Sequence, residues 1–307
     1  MNIDYAFIMC AGKGTRMGSI GKVLPKPLWP VFESNLLELQ IIYAKALGAK
    51  EIYINSHHCH EQMLSAVDNL SKKYSDLNLS YEPTLLGSGG GIHQFCRNRN
   101  IHYQGTAIYL SGDQFLFFDQ NQFKEIEKIY ASKGSCLIAN EITGNPGYNR
   151  TIFDNDFNLT KIESEYDYNK KSYTFSGMGF IKLDLLNPTE GISSFFDTVC
   201  NYKNREIGIY PLGEHEYWDF GTLQRYFSSC FKMFNNLSKK YQFFDYFPKT
   251  VFLDTAKVDE QNASYANEKK DKCLQFELLH EGIQKNLEVC DGAEKTITFD
   301  GMVEVIS

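Results

Sequence analysis

The string Gly12-Lys13-Gly14-Thr15-Arg16-Met17-Gly18 mixes glycines with two cations directly after an apolar run, and Pro25-Lys26-Pro27-Leu28 follows soon after. Glycine lets a backbone approach an anion closely, and successive N–H groups in such a loop form an anion nest. Prolines on either side of Lys26 fix its backbone and leave the ammonium free to meet a phosphate. Neither the Walker loop nor the dinucleotide fingerprint fits: the first needs GK[ST] after an upstream glycine, the second a further glycine opening a helix. Two carboxylates stand out downstream. Asp113 follows a predicted central strand, at the carboxyl end where open α/β sheets bind ligands, and Asp219 lies between Trp218 and a Gly-Thr pair. Two carboxylates beside phosphates are the usual protein share of a Mg²⁺ site. The alternative is that Asp113 caps a turn and Asp219 caps a helix beginning near Thr222.

Other candidates carry less. His57-His58-Cys59-His60 has zinc-type ligands, but adjacent residues at a strand end point to opposite faces and no second ligand pair stands at zinc spacing. They read as the close of one strand and the start of a helix. The eight cysteines show no CxxC and no repeated short spacing, which points away from zinc and from a disulfide framework. The net charge of −7 excludes a broad basic footprint for nucleic acid or anionic lipid, so an anionic ligand must be held by a local cluster. Asp4 stands where a signal peptide would be positive, and the apolar run Tyr5–Ala11 is too short to span a bilayer, so a reducing cytoplasm is expected.

At about 150 residues per domain, 307 residues allow one large domain or a domain with an appendage. With 43% hydrophobic residues and 8 prolines the chain can bury a core and is not disordered. The run Tyr5–Cys10 reads as a strand buried on both faces, and Asn35 with Glu38 opens a helix that Gly48 stops. Strands are predicted at 51–55, 79–82, 107–111, 135–140 and 207–210, with helices at 60–73, 122–131 and 192–202. A glycine-rich loop at Leu86–Gly91 is expected to lead into a further helix. That alternation predicts an α/β fold of Rossmann-like, doubly wound type, a mostly parallel mixed sheet with helices on both faces. A catalytic domain over 1–236 is expected to be followed by an accessory extension over 237–307, with a helix near Tyr265–Leu287 and a strand at Thr296–Ile306.

The string Cys10–Met17 with Pro25–Leu28 resembles the signature of sugar-1-phosphate nucleotidylyltransferases, which make nucleotide sugars. Leu86-Gly87-Ser88-Gly89-Gly90-Gly91 is similar to that family's second glycine-rich loop, and Ser111-Gly112-Asp113 to its "NGD" turn. Thr174-Phe175-Ser176-Gly177 resembles its sugar-site strand and Trp218-Asp219-Phe220-Gly221-Thr222 its "W-x-D-x-G-T" segment. The subgroup that most resembles the chain is that of the bacterial N-acetylmuramic acid-1-phosphate uridylyltransferases. The resemblance implies a cytoplasmic enzyme whose ligands are a nucleoside triphosphate and a sugar-1-phosphate, with Mg²⁺ as cofactor, and no nucleic acid or membrane partner. A homo-oligomer is compatible with it. Arg16, Lys26, Asp113 and Asp219 would be catalytic, the last two holding the metal. Ala11, Gly12, Lys13, Gly14, Thr15, Glu82, Gly87, Ser88, Gly89 and Gly90 would bind the nucleotide. Asn149, Thr174, Ser176 and Gly177 would face the sugar. Many family members carry a Glu-Lys-Pro triplet that contacts sugar; here Glu163-Ser164-Glu165 lacks the lysine and proline and reads equally as a solvated charge run. Ala11 favours UTP, with GTP and CTP as rivals, and a non-catalytic nucleotide-sugar sensor is the reading from a different class.

Overall fold

The computed structural model describes residues 1–234, apart from 33, 98–100, 144–146, 168 and 214, and residues 272–306 apart from 282. In chain order the elements are β1 (Tyr5–Met9), α1 (Leu36–Ala46), β2 (Glu51–Ser56), α2 (His60–Ser71), β3 (Leu77–Tyr81), α3 (Gly87–Cys96), β4 (Thr106–Ser111), β5 (Gln114–Phe117), α4 (Gln120–Lys133), β6 (Ser135–Ile142), β7 (Arg150–Phe153) and β8 (Leu159–Glu163). They continue with β9 (Ser172–Lys182), β10 (Gly208–Leu212), β11 (Glu216–Asp219), α5 (Leu223–Phe234), β12 (Lys272–His280), β13 (Ile283–Asp291), β14 (Lys295–Phe299) and β15 (Met302–Ile306).

Nine strands form one mixed sheet among the described residues, in the order β8-β7-β9-β4-β1-β2-β3, with β6 and β10 joined beside β9. Its centre is parallel: β1 lies between β2 and β4 and runs with both. The long β9 turns the sheet antiparallel against β4 and β6. Side chains of the central strands alternate between two cores, as strand geometry requires. Ala6, Ile8, Ile52, Ile54, Ile108 and Leu110 pack with α1 and α5, whereas Phe7, Tyr53, Ala107 and Tyr109 pack with Ile92 and Phe95 of α3. Because β2 lies on one side of β1 and β4 on the other, the chain leaves β1 and β4 in opposite directions, a topological switch point. Gly112 N–H donates to Met9 C=O across that point at 3.2 Å, so the loop after β1 and the turn after β4 form one rim.

Local chemistry explains the helix starts. Asn35 accepts from Glu38 N–H at 2.9 Å and caps α1. The predicted capping box is only half made, since the Glu38 carboxylate turns to Ser34, Lys73 and Tyr74 instead. Asp119 and Gln122 make a complete box at α4.

Several expectations are corrected. The Leu86–Gly91 string is not a loop: its glycines form the first turn of α3. The helix expected over 192–202 is a single π-turn at Phe195–Val199. The helix expected over Tyr265–Leu287 is replaced by β12 and β13, the portion 265–271 lying outside the described residues. Leu274 and Phe276, then Leu287 and Val289, alternate inward with strand period, and this suits a sheet face rather than a helix stripe. The strand expected over Thr296–Ile306 is a hairpin, broken at Asp300 (φ 50°) and Gly301 (φ 77°), a pair that favours a tight β-turn. The scattered cysteines point away from disulfides, yet Cys273 and Cys290, directly opposite on β12 and β13, are bonded with Cα atoms 4.1 Å apart. The expected boundary near residue 236 lies outside the described residues. Among them, no helix is long and apolar enough to cross a membrane.

Candidate active site

The loop after β1 owes its shape to one carboxamide. Asn55, buried at the end of β2, accepts from the N–H groups of Cys10 (2.6 Å) and Ala11 (3.1 Å) through Oδ1. Its Nδ2 donates to Glu82 Oε1 at 2.7 Å, and Leu86 N–H donates to Glu82 Oε2 at 2.9 Å. Glu82 is fully buried, so it stands inside the wall of the site and holds the loop and the start of α3 together. Beyond Cys10 the chain turns at Gly14 (φ 64°), makes one 3-10 turn at Thr15–Met17 and turns again at Gly18 (φ 62°). Both glycines take the left-handed conformation that other residues resist. Met17 plugs the core while Lys13, Thr15 and Arg16 stay exposed.

Past a 3-10 turn at Ile20–Lys22, Pro25-Lys26-Pro27-Leu28 forms a further one, closed by Leu28 N–H to Pro25 C=O and locked by Trp29, whose indole donates to Leu24 C=O at 3.1 Å. Lys26 is thereby presented, but its ammonium is not free as expected: it pairs with Asp113 Oδ2. Asp113 is 8% exposed and sits in the turn between β4 and β5. Its C=O accepts from Phe220 N–H at 2.9 Å, and β5 pairs with β11 so that Gln114 faces Asp219. This small ladder brings together two carboxylates distant in sequence. A Cβ built on Gly221 would lie 2.9 Å from Asp219 Oδ1 and 3.0 Å from Asp113 Oδ2, so both oxygens border one space that only glycine leaves open.

Asp219 is not the helix cap of the alternative reading. Thr222 Oγ1 accepts from Arg225 N–H at 3.2 Å and does that work at α5, while Asp219 Oδ1 accepts from Gly221 N–H at 2.6 Å. Asp219 Oδ2 is met by the Tyr148 hydroxyl, by Gln114 Nε2 at 3.3 Å and by Arg225 Nη1 at 3.2 Å. Arg225 lies over the Tyr148 ring, 4.2 Å from its centre. Burial, with the charge of Asp219 beside it, raises the Tyr148 hydroxyl far above its ordinary range and keeps it a donor. The sequence reading missed Asn55, Tyr148 and Arg225. A carboxamide closing an otherwise apolar strand was the available signal for Asn55.

A cleft of about 110 Å³ is lined by Cys10, the Gly12–Met17 loop, Lys26, Pro27 and Gly221, and through Gly221 it adjoins the acidic pair. Hard oxygen donors in pairs suit Mg²⁺, which keeps waters and takes phosphate oxygens for its remaining positions. Among the described residues no group of three or more His, Cys, Asp or Glu could enclose an ion, so a metal there would need ligands beyond the pair. Cys10 also borders the cleft, but burial pushes its thiol up to about 12, which disfavours a nucleophilic thiolate.

The other predicted residues are spread more widely. Gly89 and Gly90 donate their N–H groups to Ser193 C=O at 3.0 and 3.3 Å, and Ser88 Oγ accepts from Phe195 N–H at 3.2 Å. Those donors are already engaged within the protein. Of the predicted residues there, Gly87, with φ 73°, and Ser88 are half-buried, whereas Gly89 and Gly90 are buried. Ser176 lies in a bulge of β9 with its hydroxyl on Ile138 C=O, and Thr174 is buried beside it. Gly177 sits against Ser111 and Gln114, next to the acidic pair, and Asn149 is exposed beside Tyr148. Glu163 is paired with Lys161, and Glu165 is exposed. The histidines disperse: His57 bonds Glu82 C=O, His58 bonds Lys22 C=O, and His60 bonds Ser56 at the start of α2.

Residues 5–149 match the family described as nucleotidyl transferase. The chain is 25% identical over 184 residues to a D-glycero-alpha-D-manno-heptose 1-phosphate guanylyltransferase of Campylobacter jejuni, covering 59% of this chain and 77% of that one. It is 26% identical over 197 residues to an N-acetylmuramate alpha-1-phosphate uridylyltransferase of Neisseria meningitidis, covering 60% and 78%. It spans half or less of the length of the bifunctional relatives it also matches. The crystal structure of HddC from Yersinia pseudotuberculosis complexed with GMP-PN superposes with a TM-score of 0.62 at 19% identity, over 75% of this chain and all of that one.

Proposed function

We propose that this chain, whose residues 5–149 match the nucleotidyl transferase family, joins a nucleoside triphosphate to a sugar-1-phosphate and releases pyrophosphate. The observation that carries the reading is a cleft lined by the Gly12–Met17 loop, Lys26 and Gly221, the glycine that the Asp113 and Asp219 carboxylates flank. A sugar-phosphate oxygen attacks the α-phosphorus, and the bond from that phosphorus to the bridging oxygen of the leaving pyrophosphate breaks in line. Positioning and charge neutralisation are what such a displacement requires. The nucleophile is already anionic near neutral pH, so no general base is assigned.

The Gly12–Thr15 backbone would cradle the triphosphate, with Lys13 at its rim and Arg16 on the oxygens of the leaving pyrophosphate, its planar fork suited to them. Lys26 would exchange Asp113 for the α-phosphate and the incoming sugar phosphate. Asp113 and Asp219 would hold Mg²⁺, which supplies positive charge to the phosphate oxygens. Gly87 and Ser88 would border the nucleoside, and Asn149 and Gly177 the sugar. UTP is the favoured triphosphate, on the small Ala11 in the loop and the likeness to the uridylyltransferase. GTP with a heptose- or mannose-type phosphate is the second reading, favoured by the likeness to the guanylyltransferase.

The test is pyrophosphate release over a panel of four triphosphates and a range of sugar-1-phosphates, with and without Mg²⁺. Turnover with one pair and Mg²⁺ is expected. Release with GTP and none with UTP would overturn the uridine preference alone. No turnover with any pair, alongside specific nucleotide-sugar binding, would favour a sensor.

A further inference from the structure

The segment between Arg16 and Lys26 is gripped from the far end of the chain. Glu304, on the last strand β15, accepts through Oε1 from the Ser19 N–H and from Ser19 Oγ at 2.5 Å. The backbone N–H of Ile20 turns to the same carboxylate. Gly18, already at positive φ, has its open side filled by that carboxylate, so any Cβ there would overlap it. One turn later, past Ile20–Lys22, the buried His280 of β12 bonds Val23 C=O through Nε2 at 3.0 Å. Gln62 of α2 reaches the same carbonyl at 3.0 Å. Phe276 of β12 meets Phe32, with ring centres 6.1 Å apart. Both ends of the turn that connects Arg16 to Lys26 are therefore tied to the C-terminal sheet.

We infer that the C-terminal sheet is a clamp on the phosphate loop and that Glu304 is a positioning residue for triphosphate binding. The inference rests on the reading of that loop as the triphosphate site. The loop turns on glycines and would lose backbone freedom when it closes on a ligand, a cost that weakens binding unless it is met beforehand. Glu304 and His280 order the segment from behind while Arg16 stays exposed at the cleft. The carboxylate acts through hydrogen bonds rather than through its charge, since an extra anion near bound phosphates is unfavourable in itself. A neutral side chain with the same acceptor should therefore do much of the work.

The experiment uses the full chain with Glu304→Ala, Glu304→Gln and Ser19→Ala, read by hydrogen exchange of the loop amides and by KM and kcat for UTP and GTP. In Glu304→Ala the Ser19 and Ile20 amides should exchange about tenfold faster, in line with loss of bonds to a charged acceptor. KM for the triphosphate should rise about tenfold with kcat within about twofold, the signature of lost uniform binding. Glu304→Gln should restore much of both, and Ser19→Ala should move both by a few-fold, serving also if Glu304→Ala does not fold. Unchanged loop exchange in every variant would overturn the clamp. Faster exchange with unchanged KM would overturn its role in binding, and a lower KM would show that Glu304 competes with phosphate. If the parent turns over no triphosphate of the panel with any sugar-1-phosphate, the catalytic reading fails, and the exchange data alone decide whether the sheet holds the loop.

Discussion

Two glycine-rich strings in this chain look alike on the page and are put to opposite use. In the loop after β1, Gly14 and Gly18 take left-handed turns, and a Cβ on Gly12 would meet nothing within 4 Å. At the start of α3, a Cβ on Gly89 would collide with Ser194 C=O, and one on Gly90 would collide with Gly191 C=O. Their N–H groups are already committed to Ser193 C=O. In the first string Gly12 leaves space for a ligand while Gly14 and Gly18 are packed against Gly21 C=O and Glu304, whereas in the second Gly89 and Gly90 remove space between a helix and the turn that packs on it. Glycine content alone does not distinguish the two; what surrounds the missing Cβ does.

Substitutions should separate the two regions by kind of damage. The largest effect is expected at the cleft: Lys26→Ala and Asp113→Asn should each lower kcat/KM by roughly 10²–10³-fold, as for other groups that stabilise developing charge. Circular dichroism and melting should remain close to the parent's. Gly90→Ala should do the reverse. Overpacking against backbone costs about 1–3 kcal/mol, so melting should fall by several degrees while turnover at low temperature persists. A Gly90→Ala protein with parental melting and lost turnover would move that glycine into the site. Gly12→Ala has room, so stability should change by less than about 0.5 kcal/mol, while a methyl on the ligand side should weaken triphosphate binding by about tenfold. The smallest effect is Tyr148→Phe, which deletes one donor to Asp219 and should cost a few-fold in turnover. Because burial keeps the Tyr148 proton in place, that loss should be the same from pH 6 to pH 9, read from parallel pH–rate profiles.

Much of the front of the molecule was legible because its signals are local. The apolar run Tyr5–Cys10, the Asn35 cap and the prolines around Lys26 each declare a conformation within a few residues. Asp113 and Asp219 were legible as chemistry, but only the family resemblance, and no local signal, put them together. Their convergence depends on Gln114 facing Asp219 across β5 and β11, a register set by packing between distant segments. Asn55 and Glu82 act through one another and through backbone groups, so their structural work was not legible, although the carboxamide at the end of an apolar strand marked Asn55 and the family resemblance named Glu82. The tail was misread. Leu274 and Phe276, like Leu287 and Val289, stand two apart with the strand period that a helix reading of this stretch does not fit, and the Asp300-Gly301 turn was passed over as strand.

The central claim is that Asp113 and Asp219 serve one Mg²⁺ in one cleft with Lys26. The most direct measurement is turnover against Mg²⁺ concentration for Asp113→Asn, Asp219→Asn and the double variant beside the parent. Residues that serve a single step are strongly non-additive, so the double variant should be little slower than the slower single one, and each single variant should need more Mg²⁺. Full additivity, or an Asp219→Asn enzyme with parental turnover and parental Mg²⁺ dependence, would contradict the claim and leave Asp219 as a structural anchor for Tyr148 and Arg225.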